Sequence, residues 1–343
     1  MQLGSETRLS LLEQGWALQR IGNMPAIVEL LAPLPDEDLL ADPELGLLLG
    51  FGWFHCGQSK LALALVHALY ESVRREGNSH LHRRLQNLHA MIRLNQGALG
   101  EAEELWTDLH EKSHVAGDQL TLSWANSNLA VVADIQCRWE ESLSRSQRAG
   151  AAYQRLGQLR ALARCHHTMG MTYRQLGRLD EADRHFERAA DYFRSNGTDD
   201  EIAYTEMERG LTLSMLGDTR LATASVGRAL ERFVRLGHAA GEADSLRVLG
   251  IFAIKEERLL DGRELLGSAL ARIREAADKL TEAEILEELA VLEKREGNSG
   301  ESVRRGEEAA LIYRRMGAGC RAEKMERRLS EVAAGNGSDP GAG

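Results

Sequence analysis

Between Leu159 and Gly197 the apolar positions fall into two helical stripes separated by a glycine. Leu162, Met169 and Tyr173 lie near helical spacing in the first. Ala182, Phe186, Ala189 and Phe193 follow at i, i+4, i+7 and i+11 in the second, so the spacing predicts two amphipathic helices. Gly177 and Gly197 end them, and a left-handed glycine is expected at both. The same pattern returns every forty residues: Gly170 has Gly50, Ala90, Ala130, Gly210, Gly250 and Ala290 in register, and Ala182 has Ala62, Ala102, Ser142, Ala222, Gly262 and Ser302. Small side chains at both places let two helices cross closely. Gly57, Gly97, Gly217 and Gly297 repeat Gly177, with exceptions at Cys137 and Glu257. A single helix pair cannot bury its own apolar face, so neighbouring units must cover it and the chain reads as a repeat array.

Taken in order, Glu6 to Arg20 predicts a first helix, and Gly15 and Gly22 keep the offset of Gly50 and Gly57. Residues 1–43 are therefore a shortened first repeat followed by an irregular acidic connection, with Pro33, Pro35, Asp36, Glu37, Asp38 and Pro43. Seven forty-residue units occupy 44–317. A polar helix over 318–333 caps them, and 334–343 is expected to be a disordered tail. All five prolines lie outside Glu44 to Asp339, which suits unbroken helices, because an interior proline costs about 3 kcal/mol.

Gly170, Tyr173, Ala182, Phe186 and Ala189 match the small–aromatic–small signature of the tetratricopeptide repeat (TPR) family, which the chain resembles from Glu44 to Gly317. The usual unit of that family is about 34 residues; the forty-residue unit is similar to the TPR-like arrays of bacterial signal-transduction regulators and animal polarity adaptors. The resemblance implies an all-α, right-handed superhelical solenoid of about eight helix-turn-helix repeats with a C-terminal capping helix. It also implies that the first helix of each unit lines a concave groove. Carried over by register, that lining comprises Phe51, Phe54 and His55, then Arg84, Asn87 and Met91, then Trp124 and Ser127. It continues with Arg164, His167, Met171 and Arg174, then Tyr204 and Met207, and ends at Arg247. Trp124 stands where Arg84, Arg164, Tyr204 and Asp244 stand in other units and is a candidate aromatic anchor. The arginines suit carboxylates or phosphates, so the expected partner is a protein or peptide segment, of acidic character where it meets them.

The net charge of −10 argues against nonspecific nucleic-acid binding. No apolar run approaches a membrane span, and neither a nucleic-acid nor a membrane partner is expected. Self-association through exposed solenoid ends stays open. Cys56, Cys137, Cys165 and Cys320 form no CxxC, and with no basic-then-apolar N-terminal signal the reading is a reducing, cytoplasmic setting. The preference for arginine over lysine hints at a bacterial source.

His110-Glu-Lys-Ser-His114 has the H-E-x-x-H form in which two histidines one turn apart bind zinc. In register, however, His114 aligns with solvent-facing arginines, and no third ligand is identifiable. Neighbouring Cys165, His166 and His167 point to different helix faces. Glu287-Glu288 and Glu307-Glu308 read as solvated faces. No metal, cofactor or catalytic residue is expected. The sequence therefore points to a non-catalytic adaptor in a regulatory assembly, with a ligand- or peptide-sensing regulator as the alternative and a zinc metallopeptidase as a remote one.

Overall fold

The structure is a computed structural model that describes residues 4–335 except 78 and 277. Every regular element among them is an α-helix. The chain divides into two compact units, one of Met1–Gln96 with Gly100–Asn128 and one of Gly97–Leu99 with Leu129–Gly343.

The first unit opens with α1 (Ser5–Arg20) and α2 (Met24–Leu31); the side chain of Asn23 caps α2 by accepting from the Ala26 amide at 3.2 Å. The acidic connection is not irregular throughout, because it contains a short helix, α3 (Asp36–Ala41). Pro35 precedes it, and Asp36, Glu37 and Asp38 fill its first turn, where negative charge offsets the positive end of the helix dipole. Then come α4 (Pro43–His55), α5 (Ser59–Glu76), α6 (Ser79–Asn95) and α7 (Leu99–Ala116). Leu47, Val66, Leu69, Leu85 and Leu88 form a core between α4, α5 and α6. The next helix, α8 (Gln119–Ile135), begins in this unit and ends in the second.

The second unit continues with α9 (Trp139–Arg155) and then four regular pairs. These are α10 (Leu159–Gln175) with α11 (Leu179–Asn196), α12 (Asp199–Leu216) with α13 (Thr219–Leu236), α14 (Ala239–Lys255) with α15 (Leu259–Ala276), and α16 (Lys279–Arg295) with α17 (Ser299–Met316). The final helix, α18 (Gly319–Gly335), packs on α17. The expected stripe of α11, Ala182, Phe186, Ala189 and Phe193, is buried. Side-chain bulk explains the small residues facing it. A Cβ added at Gly170 would lie 2.8 Å from Phe186, and one at Gly210 would lie 2.6 Å from Val226.

Gly177 has φ +73°, and the amides of Gly177 and Arg178 bond back to the carbonyls of Arg174 and Tyr173 at 3.0 and 2.9 Å. That left-handed ending satisfies carbonyls the helix leaves open. Cys137 and Glu257 adopt the same conformation at φ +59° and +62° without being glycine. Gly197 departs from the expectation: its φ is −100°. Close packing on Phe193, 2.6 Å from a would-be Cβ, keeps that position small, and a Thr198–Glu201 capping box starts α12 directly after it. The expected tail from 336 onward lies outside the described residues.

Candidate functional site: a charged shared face in the second unit

Within the second unit the first helices of successive pairs also touch one another, α10 with α12, α12 with α14 and α14 with α16. Apolar packing alone would serve there, yet the shared face is ionic. Arg174 of α10 pairs with Glu208 of α12 at 2.5 Å. On α14, Arg247 pairs with Asp244 at 2.7 Å and reaches Glu284 of α16 at 3.5 Å. Arg321 of α18 binds the other oxygen of Glu284 at 2.7 Å, and its Nε donates to the Ile135 carbonyl at the end of α8, 3.3 Å away. Asp134, one residue earlier, accepts from the Thr172 hydroxyl of α10 at 2.8 Å. The pairs thus run from α8 to α10 and α12, and from α14 through α16 and α18 back to α8. Glu208 bears electrostatically on Asp244 and Arg247, joining the two runs.

Five carboxylates, Asp134, Glu208, Asp244, Glu284 and Glu288, share this face with three guanidinium groups, Arg174, Arg247 and Arg321. Removal from water disfavours charge, and nearby opposite charge restores it. The balance differs at each acid. Burial pushes Asp134 and Asp244 up, although Thr172 helps to hold the first ionised and Arg247 the second. Burial also opposes the charge of Glu284, but Arg247 and Arg321 outweigh it and hold that carboxyl below its ordinary range. Burial pushes Glu288 up to about 7, against the pull of Arg247. Glu288 is half-buried and makes no ion pair with any described residue. Sequence reading placed it on a solvated face with Glu287. The structure separates the two: Glu287 accepts from the Tyr313 hydroxyl at 3.2 Å and pairs with Arg328, whereas Glu288 faces the buried charges.

The register positions expected to line a groove are distributed over both units. In the first, Phe51 and Phe54 lie against the core, and His55 meets Phe54 edge-on at 5.1 Å. Arg84 lies 4.3 Å over the Trp16 ring and 3.5 Å from Glu44. Asn87 accepts from Trp106 at 3.0 Å and from Asn128 at 2.9 Å, and its amide approaches the Met91 sulfur at 3.7 Å. Asn87 is therefore spent on internal bonds. Trp124 and Ser127 are half-buried on α8.

In the second unit, exposed Arg164 reaches Glu201 at 3.4 Å. His167 shares a 3.1 Å hydrogen bond with the Thr205 hydroxyl and stands edge-on to Phe186, and burial pushes its pKa down. Met171 is half-buried, and Tyr204 packs edge-on against Phe233 at 4.7 Å. Met207 is fully buried in the core with Val226 and Phe252, which removes it from any surface. Arg84, Arg164, Arg174 and Arg247 all face carboxylates of the chain itself, so the forks expected for an acidic partner are already engaged. Glu208, Glu284 and Arg321 were not assigned to a site from sequence, and Glu288 was read as solvated. Their signal was present, since Glu284 stands in register with Tyr204 and Asp244, and Glu288 with Glu208.

The H-E-x-x-H residues lie on α7, with His110 half-buried and Glu111 and His114 exposed. Among the described residues no three His, Cys, Asp or Glu side chains gather into a metal-ligand set. No described helix is long and apolar enough to cross a membrane.

Residues 121–195 and 166–235 match the tetratricopeptide repeat family model. No curated protein matches the chain in sequence. Similar solved structures include a Rap protein complexed with competence and sporulation factor, with 15% identity, TM-score 0.66 and coverage of 96% of this chain and 98% of that one. The Rap conjugation gene regulator of plasmid pLS20 in complex with the Phr* peptide gives 14%, 0.63, 86% and 77%. NprR in complex with its cognate peptide NprX gives 13%, 0.60, 88% and 90%. At these identities the likeness is one of fold.

Proposed function

From the tetratricopeptide repeats over residues 121–235 and a fold shared with peptide-bound regulators, we propose that this chain binds a polypeptide segment on the charged shared face of its second unit. It acts there as a regulatory adaptor without catalysing a reaction. The observation that carries this reading is the ionic face itself. Burying charge is costly, and apolar cores such as that of Met207, Val226, Phe233 and Phe252 already hold the helices together, so a face that keeps eight ionisable groups is built for something besides packing. Carboxylates outnumber guanidiniums on it, and Glu288 lacks a cationic partner among the described residues. The segment it suits carries a lysine, an arginine or a free amino terminus, and this replaces the acidic segment inferred from the arginine register. The cytoplasmic setting and bacterial source expected from sequence belong to the same proposal.

Selection of phage-displayed random dodecapeptides on the immobilised full chain tests it. Enrichment of basic peptides is expected. Their affinity should rise between pH 6 and 8 as Glu288 ionises, and Glu288→Gln should weaken them by roughly tenfold, the scale of one charge-assisted contact. Failure to select any peptide, or peptides indifferent to both pH and Glu288→Gln, would remove this face as the binding site.

A further inference from the structure

Two of the four cysteines, far apart in sequence, meet in space. Cys137 and Cys320 form a disulfide across a separation of 183 residues, with their Cα atoms 6.3 Å apart. Cys137 follows the end of α8 and Cys320 opens α18, so the bond joins the first helix of the second unit to its last. It sits beside the ionic face: Ile135, two residues before Cys137, accepts the hydrogen bond of Arg321, the residue after Cys320, and Arg321 also holds Glu284. Both cysteines are half-buried rather than sealed in the core, so a reductant has access to them. Cys165, by contrast, is fully buried. Cys137 moreover occupies the left-handed turn position that Gly57, Gly97, Gly177, Gly217 and Gly297 fill elsewhere. A side chain there is unfavourable for the backbone; the sulfur is what that position gains.

We infer that Cys137 and Cys320 are a reversible thiol–disulfide switch that fastens α18 to α8 when oxidised and releases it when reduced. A thiolate of a dithiol reductant attacks one sulfur of the bond, forming a mixed disulfide and freeing the other cysteine. The second thiol of the reductant then displaces the remaining cysteine. Two electrons pass to the protein, both cysteines end as thiols, and the reductant leaves as its own disulfide. Once the bond is cut, the 3.3 Å Arg321–Ile135 hydrogen bond and the attraction between Arg321 and Asp134 still link α18 to the end of α8, without a covalent tie. Glu284 then shares Arg321 with a helix held by its packing on α17 and by the Arg328–Glu287 pair, no longer by a covalent bond to α8, and the ionic face loosens at that edge. The effect on a bound segment rests on the binding proposed above; the release of α18 does not.

Hydrogen exchange on the full chain, oxidised and then reduced with dithiothreitol, tests the switch without a ligand. Alkylation of the acid-quenched, denatured chain should count two thiols before reduction, Cys56 and Cys165, and four after it. Reduction should speed exchange in α18 roughly tenfold or more while leaving α11 and α13 unchanged. The Cys137→Ser/Cys320→Ser double variant should match the reduced protein and ignore dithiothreitol. Four reactive thiols in oxidised glutathione would overturn the inference, as would a bond that persists in fully reduced glutathione, or α18 exchange that is the same in both states. The basic peptides from the selection are then titrated against both forms. Faster α18 exchange with no peptide bound to either form keeps the switch and discards the binding reading. Equal peptide affinity with unchanged exchange discards the switch.

Discussion

Glu288 concentrates the energetics of the ionic face in one carboxyl. Its ordinary value of 4.5 rises to about 7 because burial opposes its charge. A raised folded-state pKa means the folded protein holds that proton more tightly than the unfolded chain. The penalty is therefore absent below about pH 4.5, grows as pH rises toward 7, and is complete above that. At 1.36 kcal/mol for each pKa step the cost reaches about 3 kcal/mol at most, and less to the extent that solvent screens a residue that is only half-buried. Glu288→Gln keeps the shape and removes the charge. Thermal melts should show the variant more stable than the parent at pH 8 and close to it at pH 4, below the unfolded value. A stabilisation equal at pH 4 and pH 8 would mean that packing, and not ionisation, sets the effect. The position repeats Glu208 in register, yet its burial depends on helices that pack onto it from elsewhere in the chain, so its periodicity was legible and its environment was not.

At the scale of the helix, the two segments read around Gly177 stand as α10 and α11, because the signal is local. A glycine ends a helix through its own backbone, and a small residue at a crossing needs only its immediate partner. The two non-glycine exceptions proved informative for the same reason. Glu257 is exposed and ends α14 at φ +62°, with the Arg258 amide bonded to the Ala253 carbonyl at 2.9 Å, the geometry seen at Gly177. A side chain in this conformation costs about 1–2 kcal/mol, part of which glycine gives back through the greater freedom of its unfolded chain. Glu257→Gly should therefore raise stability by about 0.5–1 kcal/mol in urea titration, and Gly177→Ala should lower it by a similar amount. A destabilised Glu257→Gly would show that the Glu257 side chain makes a contribution larger than its backbone strain. The short α3 was hidden for the opposite reason: prolines on both sides and a run of acids resemble a loop, and only its placement against the core, with Leu39 fully buried, makes a helix worthwhile.

Over the whole molecule, the least legible feature is the one that links positions farthest apart. An array whose units touch only their neighbours frays from its ends, because an end unit has a neighbour on one side alone. The Cys137–Cys320 bond alters that rule for the second unit by giving its last helix a covalent tie to its first. Closing a loop of 183 residues removes unfolded-chain entropy worth about 5 kcal/mol in the chain-entropy model, and measured disulfides commonly deliver about 2–4 kcal/mol. Reduction should accordingly lower the melting temperature of the transition that reports the second unit. Limited trypsin digestion should then cut first within α18, which is rich in arginine, at Arg321, Arg327 and Arg328. The first unit contains neither cysteine, so its peptides should survive equally with and without reductant. Cleavage that begins in α1 to α7 after reduction, or a melting profile that ignores dithiothreitol, would mean that repeat stacking alone holds α18 in place. Nothing in the spacing of the four cysteines announces this pairing, because the contact exists only after α9 and four successive helix pairs have brought α18 back to the end of α8.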